Sequence, residues 1–219
     1  MCIRDRLTGE DATLGLYLTG HPIDEYKAEL QRYVKPVKLA DLRETGYQES
    51  VWVAGLVRDV ANFGNRVAVS LDDGSARIES SCYADKFTHL KHKLTVGEVV
   101  LLKLSVRKHE ERLFSNITHA LTVLEMRLQF IQSLNVKVHK NDTKTLQALL
   151  QTLTEQTAPN PHAEDDGRLP LALYIHDEYS IAKVKTNARL RLAPSDANLW
   201  YLKNLLHDNF NMSASHSGQ

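Results

Sequence analysis

A five-stranded β-barrel followed by a small α+β domain, with a short helical segment in front, is the architecture this sequence predicts. Three observations carry that expectation. After Pro36 the apolar period changes from 3.6 to 2; five strand-like runs then follow, with a single short helical stretch between the third and the fourth; and from Arg127 onward strand-like and helical segments alternate. Three strands, one helix and two strands is the order of an OB-fold barrel. The class is therefore mixed: an OB-fold β-barrel, then an α+β unit.

The elements follow in chain order. Residues 1–13 are expected to be a non-native leader, because Met1 to Arg6, MCIRDR, has no periodicity and resembles a translated sequencing adapter. Residues 14–48 form a helical segment leading into the barrel: Pro22 suits a first helical position, and Ile23, Tyr26, Leu30 and Tyr33 fall on one helical face. Residues 49–126 make the barrel, with strands over Val51–Ala61, Arg66–Leu71, Arg77–Tyr83, Glu98–Lys108 and Leu113–Leu124. Phe63-Gly64-Asn65 and Asp72-Asp73-Gly74-Ser75 supply the residues that tight hairpins need, and Asp85 is placed to cap a helix over Asp85–Leu94.

Residues 127–208 are the α+β unit. A strand-like run lies in Arg127–Val138, and Asp142 can cap a helix presenting Leu146, Leu149, Leu150 and Leu153. A polar Pro/Gly loop from Ala158 to Gly167 precedes a hairpin of Leu169–His176 with Ile181–Leu192, and Ser195 caps a last helix carrying Leu199, Leu202, Leu205 and Leu206. The tail, 209–219, is polar and expected to be disordered.

Composition bounds the function. The 219 residues carry 27 Lys plus Arg and 27 Asp plus Glu, which argues against a bulk polyanion binder but permits a local basic face. Such a face would fall in the barrel: residues 50–127 carry 11 basic and 9 acidic side chains, against 7 and 9 before them and 9 and 9 after. No apolar run is long enough to span a bilayer and no secretory layout opens the chain, so no membrane partner is expected. Cys2 and Cys82 are too few for a disulfide framework, which suits a reducing cytoplasmic setting.

Catalytic motifs are scarce: there is no Gly-rich phosphate loop, nucleophile elbow or His-Glu-x-x-His pair. His89 and His92 share a helix face but lack a third ligand, and Asp72 and Asp73 suit a turn better than a metal pair. The binding reading has more residues behind it. Alternation turns Val67, Val69, Leu71, Ile78, Ser80 and Cys82 inward, and Arg66, Ala68, Ser70, Arg77, Glu79, Ser81 and Tyr83 outward, onto the face that OB folds use for oligonucleotides. Phe63 and Phe114 fall near loop ends, with Arg107, Lys108 and Arg112 by the last hairpin of the barrel. Aromatic faces beside cations suit single-stranded nucleic acid. The candidate nucleic-acid residues are thus Phe63, Arg66, Arg77, Tyr83, Arg107, Lys108, Arg112 and Phe114. In the second unit Lys183, Lys185, Arg189 and Arg191 mark a solvated strand face, and Trp200 and Tyr201 are candidates for a partner surface.

Several segments carry a family resemblance. LGLYLTGHPIDEY (14–26), AGLVRDV (54–60), GNRVAVSLDDGSARIESSCYADKF (64–87) and RLRLAPSDANL (189–199) resemble, in this order, the C-terminal region of the bacterial replicative DNA polymerase III alpha subunit. The resemblance implies a parent polymerase that adds deoxynucleotides to a primer and uses magnesium. It implies an OB domain on single-stranded template DNA, a final domain that binds the clamp-loader tau subunit, and contacts to other replicase subunits through missing N-terminal parts. The catalytic carboxylates of that family lie in a palm domain, so no catalytic activity and no cofactor are expected of this chain. The hairpin Val60–Arg66 is shorter and less basic than the family often has. The alternatives are a stand-alone OB-fold single-stranded nucleic-acid-binding accessory protein and, less favoured, a metal enzyme using His89, His92 and Asp72.

Overall fold

The computed structural model describes residues 20–43, 48–109, 112–156, 167–184 and 190–214. The expected leader, the LGLYLT stretch, most of the Pro/Gly loop, Lys185 and Arg189 lie outside them. The chain divides between Val123 and Leu124 into two compact units.

The first unit is a closed barrel of strand order β1-β2-β3-β5-β4, formed by β1 (Gln48–Phe63), β2 (Arg66–Asp72), β3 (Arg77–Tyr83), β4 (Val99–His109) and β5 (Arg112–Thr122). That order, with one helix between the third and fourth strands, is the OB-fold topology. β1 is long enough to serve two neighbours. Its first half pairs with β4 and its second with β2, around a register shift between Val57 and Asp59. Alternation packs the core as the pattern requires: Val67, Val69, Leu71, Ile78, Ser80 and Cys82 are buried, with Leu102, Leu104 and Ile117 opposite. Ala68, expected outward, is also buried.

Before the barrel, a 3₁₀ turn over Pro22–Glu25 leads into α1 (Lys27–Tyr33). The turn is capped reciprocally by its own sequence. His21 Nδ1 accepts from the Ile23 N–H at 3.2 Å, and Asp24 Oδ2 accepts from the His21 N–H at 2.9 Å. Between β3 and β4 lies α2 (Ala84–Leu90), whose Leu90 joins the core. Asp85 does not cap it. The cap position is Tyr83, which makes no side-chain capping bond, and Asp85 sits within the first turn.

The second unit begins within α3 (Val123–Phe130) and holds a sheet of order β10-β6-β7-β8: β6 (Ile131–His139), β7 (Leu169–His176), β8 (Ile181–Val184) and β10 (Phe210–Ala214), with β9 (Arg191–Leu192) on the start of β7. β6 and β7 are parallel, and the crossover they need runs through α4 (Thr143–Gln156), where Asp142 Oδ1 accepts from the Thr145 N–H at 3.0 Å. α5 (Asp196–Leu206) is capped by Ser195 and buries Leu199, Leu202 and Leu206. Leu149 and Leu153 of α4 are buried, whereas Leu150 is exposed.

The disordered tail is corrected in part. Phe210–Ala214 is a strand, paired antiparallel with β6. Phe210, Met212 and Ala214 alternate with Asn211 and Ser213, and a polar ladder helps to hold the strand: Ser133 and Ser213 hydroxyls meet at 2.7 Å, and Asn135 Nδ2 donates to Asn211 Oδ1 at 3.0 Å. The last five residues lie outside the described residues.

Candidate nucleic-acid interface

The groove of interest crosses the seam where the barrel closes. β3 and β5 run parallel there and share one registered pair, Ser81 opposite Asn116. Beneath it the Ser80 and Ser115 hydroxyls meet at 2.8 Å, and Ser115 Oγ donates to the Glu79 carbonyl at 3.1 Å. A buried serine pair thus closes the wall where an apolar pair would leave the Glu79 carbonyl without this donor.

Over this seam lies a groove of about 1070 Å³. Arg66 reaches it from β2, Arg77 and Glu79 from β3, and Arg107, Lys108 and Arg112 from the β4–β5 hairpin, with Phe114 on its wall. Five cations therefore face one carboxylate among the described lining residues.

Pairing arranges the aromatic side chains. Arg66 stands opposite Phe63 on β1 and opposite Tyr83 on β3, so the three form one row across three strands. The Arg66 guanidinium lies over the Tyr83 ring, 5.2 Å from its centre. Phe63 and Tyr83 are 67% and 60% exposed, and Phe114, opposite Arg107, is 51% exposed. Of the eight sequence candidates, Arg66, Arg77, Arg107, Lys108, Arg112 and Phe114 line the groove; Tyr83 joins it through Arg66, and Phe63 stands at the far end of the row, outside the lining.

Two arginines are partly committed. Arg66 Nη2 donates to Asn116 Oδ1 at 2.8 Å, and Arg77 Nε donates to Asp72 Oδ2 at 2.7 Å. Burial pushes the Asp72 carboxyl up, but the Gly74 N–H, the Arg77 guanidinium and His21 together hold it below the ordinary carboxylate value. Sequence reasoning missed Asn116 and Ser115, although their alternation with Ile117 in β5 was legible.

Asp72 and Asp73 do turn chemistry. Asp72 Oδ1 accepts from the Gly74 N–H, and Asp73 Oδ1 accepts from the N–H groups of Ser75 and Ala76. The same turn anchors the segment ahead of the barrel, with Asp73 Oδ2 accepting from the Leu39 N–H and His21 Nε2 3.4 Å from Asp72 Oδ1. No three His, Cys, Asp or Glu side chains converge on a metal-sized point among the described residues. Burial pushes the Cys82 thiol up, away from reactivity. No helix among the described residues is long and apolar enough to cross a membrane.

In the second unit Trp200 is 69% exposed. Tyr201 departs from the partner-surface expectation: it is half-buried and its hydroxyl accepts from Thr152 Oγ1 at 3.0 Å, tying α5 to α4.

No protein-family model matches the chain. Among curated proteins, DNA polymerase III subunit alpha of Escherichia coli O157:H7 is 31% identical over 209 residues, covering 91% of this chain and 17% of that protein. Its counterpart in Pseudomonas aeruginosa is 32% identical over 146 residues, 64% of this chain and 12% of that protein; that of Vibrio cholerae is 29% identical over 213 residues, 93% and 18%. A solved structure of asparaginyl-tRNA synthetase from Pyrococcus horikoshii covers 41% of this chain and 22% of its own, at 15% identity and a TM-score of 0.36. The barrel assignment rests on strand order rather than on that likeness. Over nine-tenths of its length the chain is similar to the DNA polymerase III alpha subunits of Escherichia coli and Vibrio cholerae, and it spans about a sixth of their length.

Proposed function

We propose that the barrel binds single-stranded DNA in the groove across β2, β3 and β5, as the template-contacting part of a replicative polymerase alpha subunit, and that the second unit docks on the clamp-loader tau subunit. The observation that carries the reading is the groove itself: among its described lining residues five cations and one carboxylate, with exposed Phe63, Tyr83 and Phe114 beside them. Phosphates would meet the guanidinium groups while bases stack on the rings, a mode that tolerates any sequence. Nucleotidyl transfer, with the magnesium expected of the parent polymerase, belongs in this reading to other parts of that subunit.

Arg77 gives part of its charge to Asp72; each phosphate that the groove cations contact contributes about −0.7 to the slope of log K against log salt for a single strand, so a slope clearly steeper than about −1 is expected. Fluorescence anisotropy of labelled oligo-dT from 50 to 200 mM salt measures it. Arg66→Ala with Arg77→Ala should weaken binding and flatten the slope; a slope flatter than about −1 in the wild-type chain removes the groove as the site. For tau, removing residues 168–219 would delete β7 to β10 and destroy the sheet, so Trp200→Ala is the cleaner probe. It should leave the fold intact and weaken association with isolated tau at least about tenfold if Trp200 is a central contact; undiminished association refutes that role.

A further inference from the structure

Asn116 occupies the point where three strands of the groove meet. Its Oδ1 accepts from Arg66 Nη2 of β2 at 2.8 Å and from Ser81 Oγ of β3 at 3.3 Å. A guanidinium carries donors only, so the oxygen end of the amide must face Arg66 and the Nδ2 end must face away from it. Among the described residues Nδ2 donates to no protein group at hydrogen-bonding distance, and Asn116 is itself one of the residues lining the groove.

Arg66 is thereby fixed twice, by the Tyr83 ring against its face and by Asn116 at its edge. An exposed arginine otherwise spreads over many rotamers and loses that freedom on meeting a phosphate. Fixing the fork in advance removes much of the loss while leaving its remaining N–H groups for an anion.

We infer that Asn116 is the positioning residue of the groove: it orients the Arg66 guanidinium toward a phosphate of a bound single strand and offers its own Nδ2 donors to the same strand. The inference rests on the single-strand reading above. It predicts that an aspartate here does opposite things to the fold and to binding. Asn116→Asp keeps an acceptor for Arg66 and Ser81, so the barrel remains folded, but it converts Arg66 into half of an internal ion pair and removes the Nδ2 donors.

The test uses the full chain, labelled oligo-dT and a salt titration, with melting temperature as the check on folding. Asn116→Asp should weaken binding about tenfold and flatten the salt slope by about 0.7, the amount due to one phosphate contact. Asn116→Ala should weaken binding about threefold with the slope kept, because Arg66 stays charged but is no longer held. In an Arg66→Ala background the alanine at 116 should cost clearly less than in the wild-type background. Binding by the wild-type chain, with the slope retained in Asn116→Asp or with equal effects of Asn116→Ala in both backgrounds, overturns the inference alone. A wild-type chain that leaves oligo-dT unbound overturns the single-strand reading and this inference together.

Discussion

Arg127 should be costly to remove from the second unit. It is 4% exposed, and its Nη1 donates to the Pro194 carbonyl at 3.0 Å and to Asp196 Oδ1 at 2.6 Å. Arg127→Ala lets half-exposed Asp196 rehydrate, so the full cost of stranding a buried charge is not incurred. The loss includes a Pro194 carbonyl stripped of its donor, about 1–2 kcal/mol, and the packing of the aliphatic stem, about 1–2 kcal/mol. The sum, about 3 kcal/mol, lowers the melting temperature of a unit this size by roughly 12–20 °C. Asp196→Asn keeps an oxygen facing the guanidinium and should cost only about 1 kcal/mol. Scanning calorimetry of both variants reads the shift, and oligo-dT affinity should stay constant because the groove lies in the other unit. If Arg127→Ala moved the transition by under about 4 °C, or Asp196→Asn cost as much, the pair would not be what joins α3 to the start of α5.

Two further outcomes follow from the barrel. A Cβ on Gly55 would lie 2.7 Å from Leu71 Cδ2 and 3.2 Å from the Asp72 carbonyl, so Gly55→Ala should destabilise the first unit by about 1–3 kcal/mol in a urea melt, and a neutral result would mean the β1–β2 wall gives way freely. His21 is held below its ordinary value of 6.5 by burial, with Arg58 adding to the effect and the carboxylates of Asp72, Asp24 and Asp73 opposing it. Its neutral form is therefore the native one, and the stability it contributes is full above pH 6.5 and is lost as pH falls through the lowered value. The melting temperature of the wild-type chain should fall more between pH 7 and 5 than that of His21→Asn, which retains a capping oxygen; parallel curves would refute the assignment.

The barrel was legible because its strands bury one face, and a period of two announces that arrangement wherever Val, Leu and Ile alternate with polar residues. Val67, Val69 and Leu71 in β2 and Ile78 and Cys82 in β3 behave this way. Alternation says less about partners. It put Ser80 on the inner face, but not that its hydroxyl would meet that of Ser115. Phe210, Met212 and Ala214 alternate with Asn211 and Ser213 in β10, yet five residues in a polar tail do not announce the serine and asparagine pairs that tie them to β6. The site was half legible for a related reason. The cations could be named from strand alternation, but Asp72 taking Arg77 and Asn116 taking Arg66 are contacts between strands, set by register and barrel closure.

The segments that carry the family resemblance divide by the work their residues do. In GHP, His21 caps the turn before α1 and rests against Gly74, where a Cβ would lie 3.5 Å from the ring. In LDDGS, Asp73 holds both its own turn and the Leu39 N–H. In APSDAN, Ser195 caps α5, Asn198 Nδ2 donates to the Ala193 carbonyl and Asp196 receives Arg127. These residues are joints: His21, Asp73, Ser195 and Asn198 satisfy backbone groups and Asp196 holds the Arg127 guanidinium, and substitution at such points costs folding before it touches binding. The groove residues are under a different constraint. Phe63, Tyr83 and Phe114 remain exposed, so the barrel core requires little of them, and Arg107, Lys108 and Arg112 stand on solvent-facing ends of a hairpin. A large exposed aromatic that contributes little to the core needs a reason outside the fold, and a row of them beside five cations is what a strand of stacked bases with a phosphate backbone would supply.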